Sequence, residues 1–240
     1  IMAHESGLST CPIVVAELGP GKSLGVGCAA LISGVQQYVA LDVRQHATDS
    51  RNLEVFDELV ELFANKEPIP DQTEFPNAKP LLKSYDFPTH ILTDERLETS
   101  LDRIRINAIK KSLSNPALDT NHNNYVKYIA PWYDADMISE SSVDMIFSQA
   151  VLEHVDDLSN TYEMLRRWLK PSGVMSHEID FKSHRTSSKW NGHWVYSDFV
   201  WRLIVGRRTH LLNREPHSVH ISLLNRLDFK IICDIAVHSK

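Results

Sequence analysis

Short apolar runs alternate with longer amphipathic stretches along the chain, and the alternation begins at residue 13. Ile13, Val14, Val15 and Ala16 form a β-branched run that ends at a glycine and proline cluster; Tyr38, Val39, Ala40 and Leu41 form a second. Residues 24–32 between them are apolar over a helical length. A strand, helix, strand unit is therefore predicted first. Leu53, Phe56, Val60 and Phe63 then recur at three- and four-residue steps, as do Leu97, Leu101, Ile104 and Ala108. Each of these segments is expected to bury one helical face.

Residues 65–92 hold Pro68, Pro70, Pro76, Pro80 and Pro88, a density that blocks helix and removes ladder donors from any strand. An ordered surface insertion is expected there. Residues 126–129 and 143–147 read as further strands. Leu158, Tyr162, Leu165 and Leu169 mark a helix that Pro171 and Gly173 should stop, and 174–181 reads as the next strand. The tail predicts helices over 197–205 and 218–227 and a strand over 229–235. Strands alternating with helices in this way predict an α/β fold, with a mostly parallel sheet covered by helices on both faces. Its ligand crevice should lie at the carboxyl ends of the strands.

Composition narrows the functional classes. The 240 residues, 42% of them hydrophobic, suffice for one sizeable core, so a single domain over 1–240 is expected, with insertions at about 65–92 and 182–227. Lys and Arg number 25 against 31 Asp and Glu, a formal charge of -6, which offers no broad basic surface for nucleic acid. Cys11, Cys28 and Cys233 are widely spaced and match no disulfide framework or zinc pattern, so a reducing cytoplasm is the expected location. No apolar run reaches the length of a membrane span. The chain begins at Ile1, close to its first strand, and ends at Lys240 soon after Ile235, so both termini are expected to be incomplete.

The candidate chemistry begins directly after the first strand. Glu17-Leu18-Gly19-Pro20-Gly21-Lys22-Ser23-Leu24-Gly25 places glycines where a tight turn lets a ligand approach the backbone before a helix begins. Asp42, followed by Val43, ends the second strand, where a carboxylate can accept hydrogen bonds from both ribose hydroxyls. A nicotinamide site would share this acid. Leu24, however, stands where GxGxxG has its third glycine, and the glycine comes one residue later. Further along come Asp134-Ala135-Asp136, Ser142-Val143-Asp144-Met145-Ile146-Phe147-Ser148, Leu152-Glu153-His154-Val155 and Leu169-Lys170-Pro171-Ser172-Gly173.

In this order, from residue 13 to about 181, these segments resemble the class I, Rossmann-like S-adenosylmethionine-dependent methyltransferases of the type 11 kind. That family's loop reads ExGxGxxxG, its second strand ends in an acid, and "LEHV" commonly follows its fourth strand. The resemblance implies S-adenosylmethionine as cofactor and a small-molecule methyl acceptor. It places Glu17, Gly19, Pro20 and Gly21 at the methionine portion, Asp42 and Val43 at the ribose, Asp134 with the Ala135 backbone at the adenine, and Ser148 and Gln149 near the sulfonium. Asp136 is an alternative to Asp134, and Trp132 and Tyr133 either flank the adenine or pack in the core. The family's sheet closes with an antiparallel seventh strand, which this chain is expected to lack. Residues 177–184 resemble an "HxIDxxxH" segment of a bacterial subgroup.

A hydroxyl acceptor needs a base, whereas an amine needs only its lone pair. His154 and His177 are the candidate catalytic residues, since imidazole titrates near neutrality; a structural hydrogen bond explains His154 equally well. Imidazole and carboxylate ligands would suit a divalent ion at His177, Asp180 and His184, but strand alternation puts His177 and Asp180 on opposite faces, so substrate contact or structure is favoured and no metal is expected. Arg207, Arg208 and Arg214 lie within an aromatic-rich segment, 190–214, where this class inserts acceptor-binding elements. Two readings stay open beside methyl transfer: a NAD(P)-dependent oxidoreductase and a non-catalytic nucleoside-binding module of the same fold.

Overall fold

The computed structural model describes residues 1–47, 51–76, 81–114 and 124–237. A short helix α1 (Met2–Glu5) precedes β1 (Val14–Leu18), α2 (Gly25–Ile32), β2 (Gln37–Leu41), α3 (Arg51–Ala64), α4 (Asp94–Ser100), α5 (Arg103–Ser114) and β3 (Val126–Ile129). Then follow β4 (Val143–Gln149), α6 (Leu158–Trp168), β5 (Leu169–Glu178), α7 (Asp198–Val205) and α8 (His217–Arg226). The strands form a five-stranded parallel sheet in the order β3-β2-β1-β4-β5, the α/β architecture read from the alternating pattern. The chain divides into two compact units, Ile1–Trp132 with Ile231–Lys240, and Tyr133–Lys230.

In the first unit, β2 pairs in parallel with β1 from Val14↔Gln37 to Leu18↔Leu41 and with β3 from Tyr38↔Val126 to Leu41↔Ile129. A strand flanked on both sides and covered on both faces should read as a continuous apolar run. Tyr38, Val39, Ala40 and Leu41 do, and all four are buried. Helix α2 buries Gly27, Cys28, Leu31 and Ile32, and its carboxyl end is held by two arginines. Arg96 Nε donates to the Ser33 carbonyl at 2.7 Å, and Arg105 Nη2 donates to those of Leu31 and Val35 at 3.0 and 2.6 Å. Cations there satisfy the last carbonyls and oppose the negative end of the helix dipole.

The face expected on α3 is present, with Phe56 fully buried and Leu53, Val60 and Phe63 half-buried. The face expected from Leu97 through Ala108 is not. Leu97 is buried on α4, but Ile104 is 81% exposed and Ala108 is also exposed. Asp102 interrupts the helix: its Oδ1 accepts the Ile104 and Arg105 amides at 2.9 and 3.1 Å, which caps α5 and resets the helical phase. Ile109, Ser112 and Leu113 form the buried face instead. The proline-rich stretch contains no helix or strand in its described residues until α4 begins, and Pro80 lies outside the described residues.

In the second unit β4 and β5 pair in parallel, with Ser148↔His177 and Gln149↔Glu178 at their carboxyl ends. The helix marked by Leu158, Tyr162 and Leu165 is α6, capped by Asp157, whose carboxylate accepts the Asn160 amide at 3.0 Å. Leu169 is not in that helix. It opens β5, and the turn expected at Pro171 and Gly173 is a break in the ladder, whose register passes from Val143↔Leu169 to Met145↔Val174. Proline has no amide to give a ladder, so the extra residues leave the pairing and it resumes beyond them.

The strand expected over 174–181 stops at Glu178, and that expected over 229–235 does not form. Residues 229–237 have no regular structure, and Ile231, Ile232 and Ile235 are 38%, 50% and 52% exposed. β-propensity makes a strand only where a neighbouring strand supplies a ladder. Among the described residues no helix is long and apolar enough to cross a membrane.

Candidate functional site

The loop after β1 and the end of β2 meet within the first unit. Gly19 and Gly21 have φ of +64° and +66°, the left-handed region that side chains disfavour. A Cβ built on Gly21 would meet nothing within 4 Å, so the loop is open on that side. Asp42 is 5% exposed and faces the loop. Its Oδ2 accepts the Gly21 amide at 3.1 Å, and its Oδ1 accepts those of Val43 at 2.7 Å and Arg44 at 3.5 Å. A carboxylate offers about four acceptor positions, so these bonds leave capacity for a ligand hydroxyl.

The loop is pinned from the other side by a residue the sequence reading missed. Asn52, in the first turn of α3, is buried; its Oδ1 accepts the Leu24 amide at 2.8 Å and its Nδ2 donates to the Lys22 carbonyl at 3.4 Å. An asparagine beside the apolar stripe of α3 was the available signal: a polar side chain facing inward must be spent on backbone groups.

Glu17 points into the core beneath the loop. Tyr38 donates its hydroxyl to Glu17 Oε2 at 2.5 Å, and both side chains are buried. Burial pushes the Glu17 carboxyl up from 4.5 to about 7, with the Tyr38 hydrogen bond pulling the other way. Burial, aided by Glu17, raises the Cys28 thiol to about 12, so it stays protonated. The linkage has a definite sign. The folded state holds the Glu17 proton to higher pH than the unfolded chain does, so this group's contribution to stability falls as pH rises from 4.5 to about 7 and is level above. The total is about 3 kcal/mol. Glu17→Gln is expected to remove that slope, leaving the variant relatively more stable near pH 8 than near pH 5. Urea unfolding across this range checks it, and an unchanged slope would refute the assignment.

The second unit carries the remaining predicted residues. Asp134 is exposed, and its Oδ1 accepts the Asp136 amide at 3.0 Å to cap a short 3-10 turn, Ala135–Met137. Asp136 is taken up by Arg167 at 2.7 Å, and the Ala135 carbonyl by Trp168 Nε1 at 2.7 Å. Tyr133 is 62% exposed, whereas Trp132, in the first unit, is buried. Ser148 Oγ lies 2.8 Å from His177 Nδ1, and Gln149 Nε2 donates to Glu178 Oε2 at 3.1 Å.

The two catalytic candidates differ in kind. His177 has an enclosed Nε2 with no hydrogen-bond partner among the described residues, and burial, reinforced by His220, lowers its pKa to about 4. It is a neutral imidazole and a poor base toward a hydroxyl. His154 Nδ1 lies 2.5 Å from the Leu211 carbonyl and 3.1 Å from that of His210. Carbonyls only accept, so Nδ1 bears the proton and Nε2 presents a lone pair. His184 lies beside it, with ring centroids 5.0 Å apart.

Residues 101–176 match the family model described as a methyltransferase domain. No curated protein matches the chain. Solved structures similar to it include a chain of the Haloferax volcanii complex between the Trm112 methyltransferase activator and a methyltransferase, at 14% identity and a TM-score of 0.45, covering 94% of this chain and 66% of that one. An S-adenosylmethionine dependent methyltransferase from Mesorhizobium loti has 12% identity and a TM-score of 0.46, with 95% and 78% covered. Phosphoethanolamine N-methyltransferase 2 of Haemonchus contortus has 12% identity and a TM-score of 0.46, with 95% and 35% covered. The chain thus spans just under two thirds of the first of these and about a third of the last.

Proposed function

We propose that the chain binds S-adenosylmethionine and transfers its methyl group to an oxygen or nitrogen of a small molecule. The observation that carries the reading is Asp42: a buried carboxylate at the end of β2, bonded to the Gly21 amide of an open glycine loop and holding spare acceptor capacity. The methyltransferase family match over residues 101–176 supports it from a different part of the chain.

When bound, the cofactor supplies a methyl group already activated by its positive sulfur. The residues therefore have to bind, align and exclude water. Asp42 accepts the ribose hydroxyls, Val43 lies beside it, and Gly19, Pro20 and Gly21 let the ligand approach the backbone. Glu17 acts from beneath through its hold on Tyr38, and Asn52 fixes the loop. Asp134, Ala135, Ser148 and Gln149 enter the proposal through their place in the family's motif order. For a hydroxyl acceptor, His154 is the better placed of the two, because its Nδ1 holds the proton and its Nε2 presents the lone pair, while His177 is weakly basic and enclosed.

Calorimetric titration of the 240-residue chain with S-adenosylmethionine, S-adenosylhomocysteine and NADH tests the reading. The two sulfur nucleosides are expected to bind one per chain and NADH not to bind. Binding of NADH alone would establish the oxidoreductase reading instead, and absence of all binding would refute the cofactor site.

A further inference from the structure

The 3-10 turn Leu152–His154 directly follows β4 and carries Glu153, whose side chain is oddly placed. Glu153 is 3% exposed, and neither of its carboxylate oxygens has a hydrogen-bond partner among the described residues. A carboxylate enclosed in this way is costly unless a cation compensates it.

Two imidazoles converge on the same point. Ligand atoms of Glu153, His154 and His184 all lie within 4.8 Å of one another. Donors around a small divalent ion at bond lengths of about 2.1 Å are separated by about 3 to 3.5 Å, so a contraction of little more than an ångström would close the site. His154 is already in the ligating tautomer, since the carbonyls of Leu211 and His210 hold its Nδ1 proton and leave Nε2 free. Asp180 Oδ2 lies 3.3 Å from His184 Nε2, near it but not hydrogen-bonded to it. The backbone is bent to present this histidine: His184 and Arg185 have φ of +45° and +68°, both without glycine's freedom. An open cleft of about 400 Å³, lined by Asp180, Ser183, His184, Arg185 and Trp190, adjoins it and gives an ion access to water.

We propose that Glu153, His154 and His184 form a binding site for one divalent transition-metal ion, with open coordination positions. Two imidazoles and one carboxylate suit zinc, iron(II), manganese(II) or cobalt(II) and lack the thiolates of a closed structural site. His177, the histidine nearest in sequence, is not among the side chains whose ligand atoms converge there. The expectation of no metal rested on His177 and Asp180 alternating along one strand; β5 ends at Glu178, so alternation does not extend to Asp180 or His184. The metal site stands independently of the methyl-transfer reading. One consequence rests on that reading: an ion here removes His154 as a free base and offers a hydroxyl acceptor a Lewis acid instead.

The test is titration of the chelator-treated chain with Co²⁺ and Zn²⁺, followed by calorimetry and, for cobalt, visible absorption. One ion per chain is expected, with weak d–d bands and no thiolate charge-transfer band. Glu153→Gln and His184→Ala are each expected to weaken binding at least tenfold while far-ultraviolet circular dichroism is unchanged. His90→Ala, in the other unit, should bind as the unmodified chain does. Absence of stoichiometric binding, or an affinity in Glu153→Gln and His184→Ala equal to that of the unmodified chain, overturns the site. So does a loss in His90→Ala as large as theirs. Nucleoside binding is measured separately, so loss of the metal site leaves the cofactor reading standing, and the converse holds.

Discussion

Asp42→Ala is expected to weaken S-adenosylmethionine binding roughly thirty- to a hundredfold, a loss of about 2–3 kcal/mol. Hydrogen bonds to a charged acceptor contribute about 1.5–3 kcal/mol each. The carboxylate also holds the Gly21 and Val43 amides, so the substitution removes both a ligand contact and a support of the loop. Asp42→Asn separates these roles, because its amide oxygen can still accept a backbone N–H while the charge is gone. An affinity for Asp42→Asn as low as that of Asp42→Ala would place the larger share on the charge-assisted ribose contact, and one near that of the unmodified chain would place it on the support of the loop. Equal affinities for Asp42→Ala and the unmodified chain, with both folded, would sink the assignment. Calorimetry reads the affinity, and a thermal melt of each variant shows whether the loop's support matters to the fold.

The residues on which that prediction stands were visible in the chain because each answers to a local rule. A glycine with positive φ, a carboxylate at a strand end and an apolar run in a doubly flanked strand can be recognised without knowing what they touch. Gly19, Gly21, Asp42 and residues 38–41 are of this kind. What escaped the reading depends on partners distant in sequence. Asn52 is a loop clamp only because α3 brings it to Leu24 and Lys22. Ile104 has the spacing of a buried residue, but Asp102 starts a new helix before it. The tail from Phe229 has strand composition, but residues 229–237 form no strand. Glu153 was legible as a motif letter, whereas its unpartnered burial could be seen only in three dimensions.

Gly27→Ala shows the same dependence in energetic form, and its expected sign runs against helix propensity. Alanine is favoured over glycine inside a helix by about 1 kcal/mol, so an exposed position in α2 would gain stability. At Gly27 a Cβ would come well under 3.0 Å from the ring of Tyr38. That ring is fully buried in β2, and its hydroxyl is tied to Glu17. It cannot move aside without breaking that bond and depriving the buried Glu17 carboxyl of the Tyr38 donor, so α2 has to shift instead. Overpacking of this kind costs about 1–3 kcal/mol, and loss of the buried hydrogen bond adds about 1 more. A net destabilisation of about 2–4 kcal/mol is expected, a fall in Tm of roughly 5–15 °C for a chain of this size. Urea unfolding of Gly27→Ala, Tyr38→Leu and the double variant measures the coupling: the double variant should be more stable than the sum of the single losses allows. A Gly27→Ala chain as stable as the parent would mean that Tyr38 does not pack against α2. Because α2 begins directly after the glycine loop, the shift should also weaken nucleoside binding, so the fold and the proposed cofactor site are expected to fail together at this one methyl group.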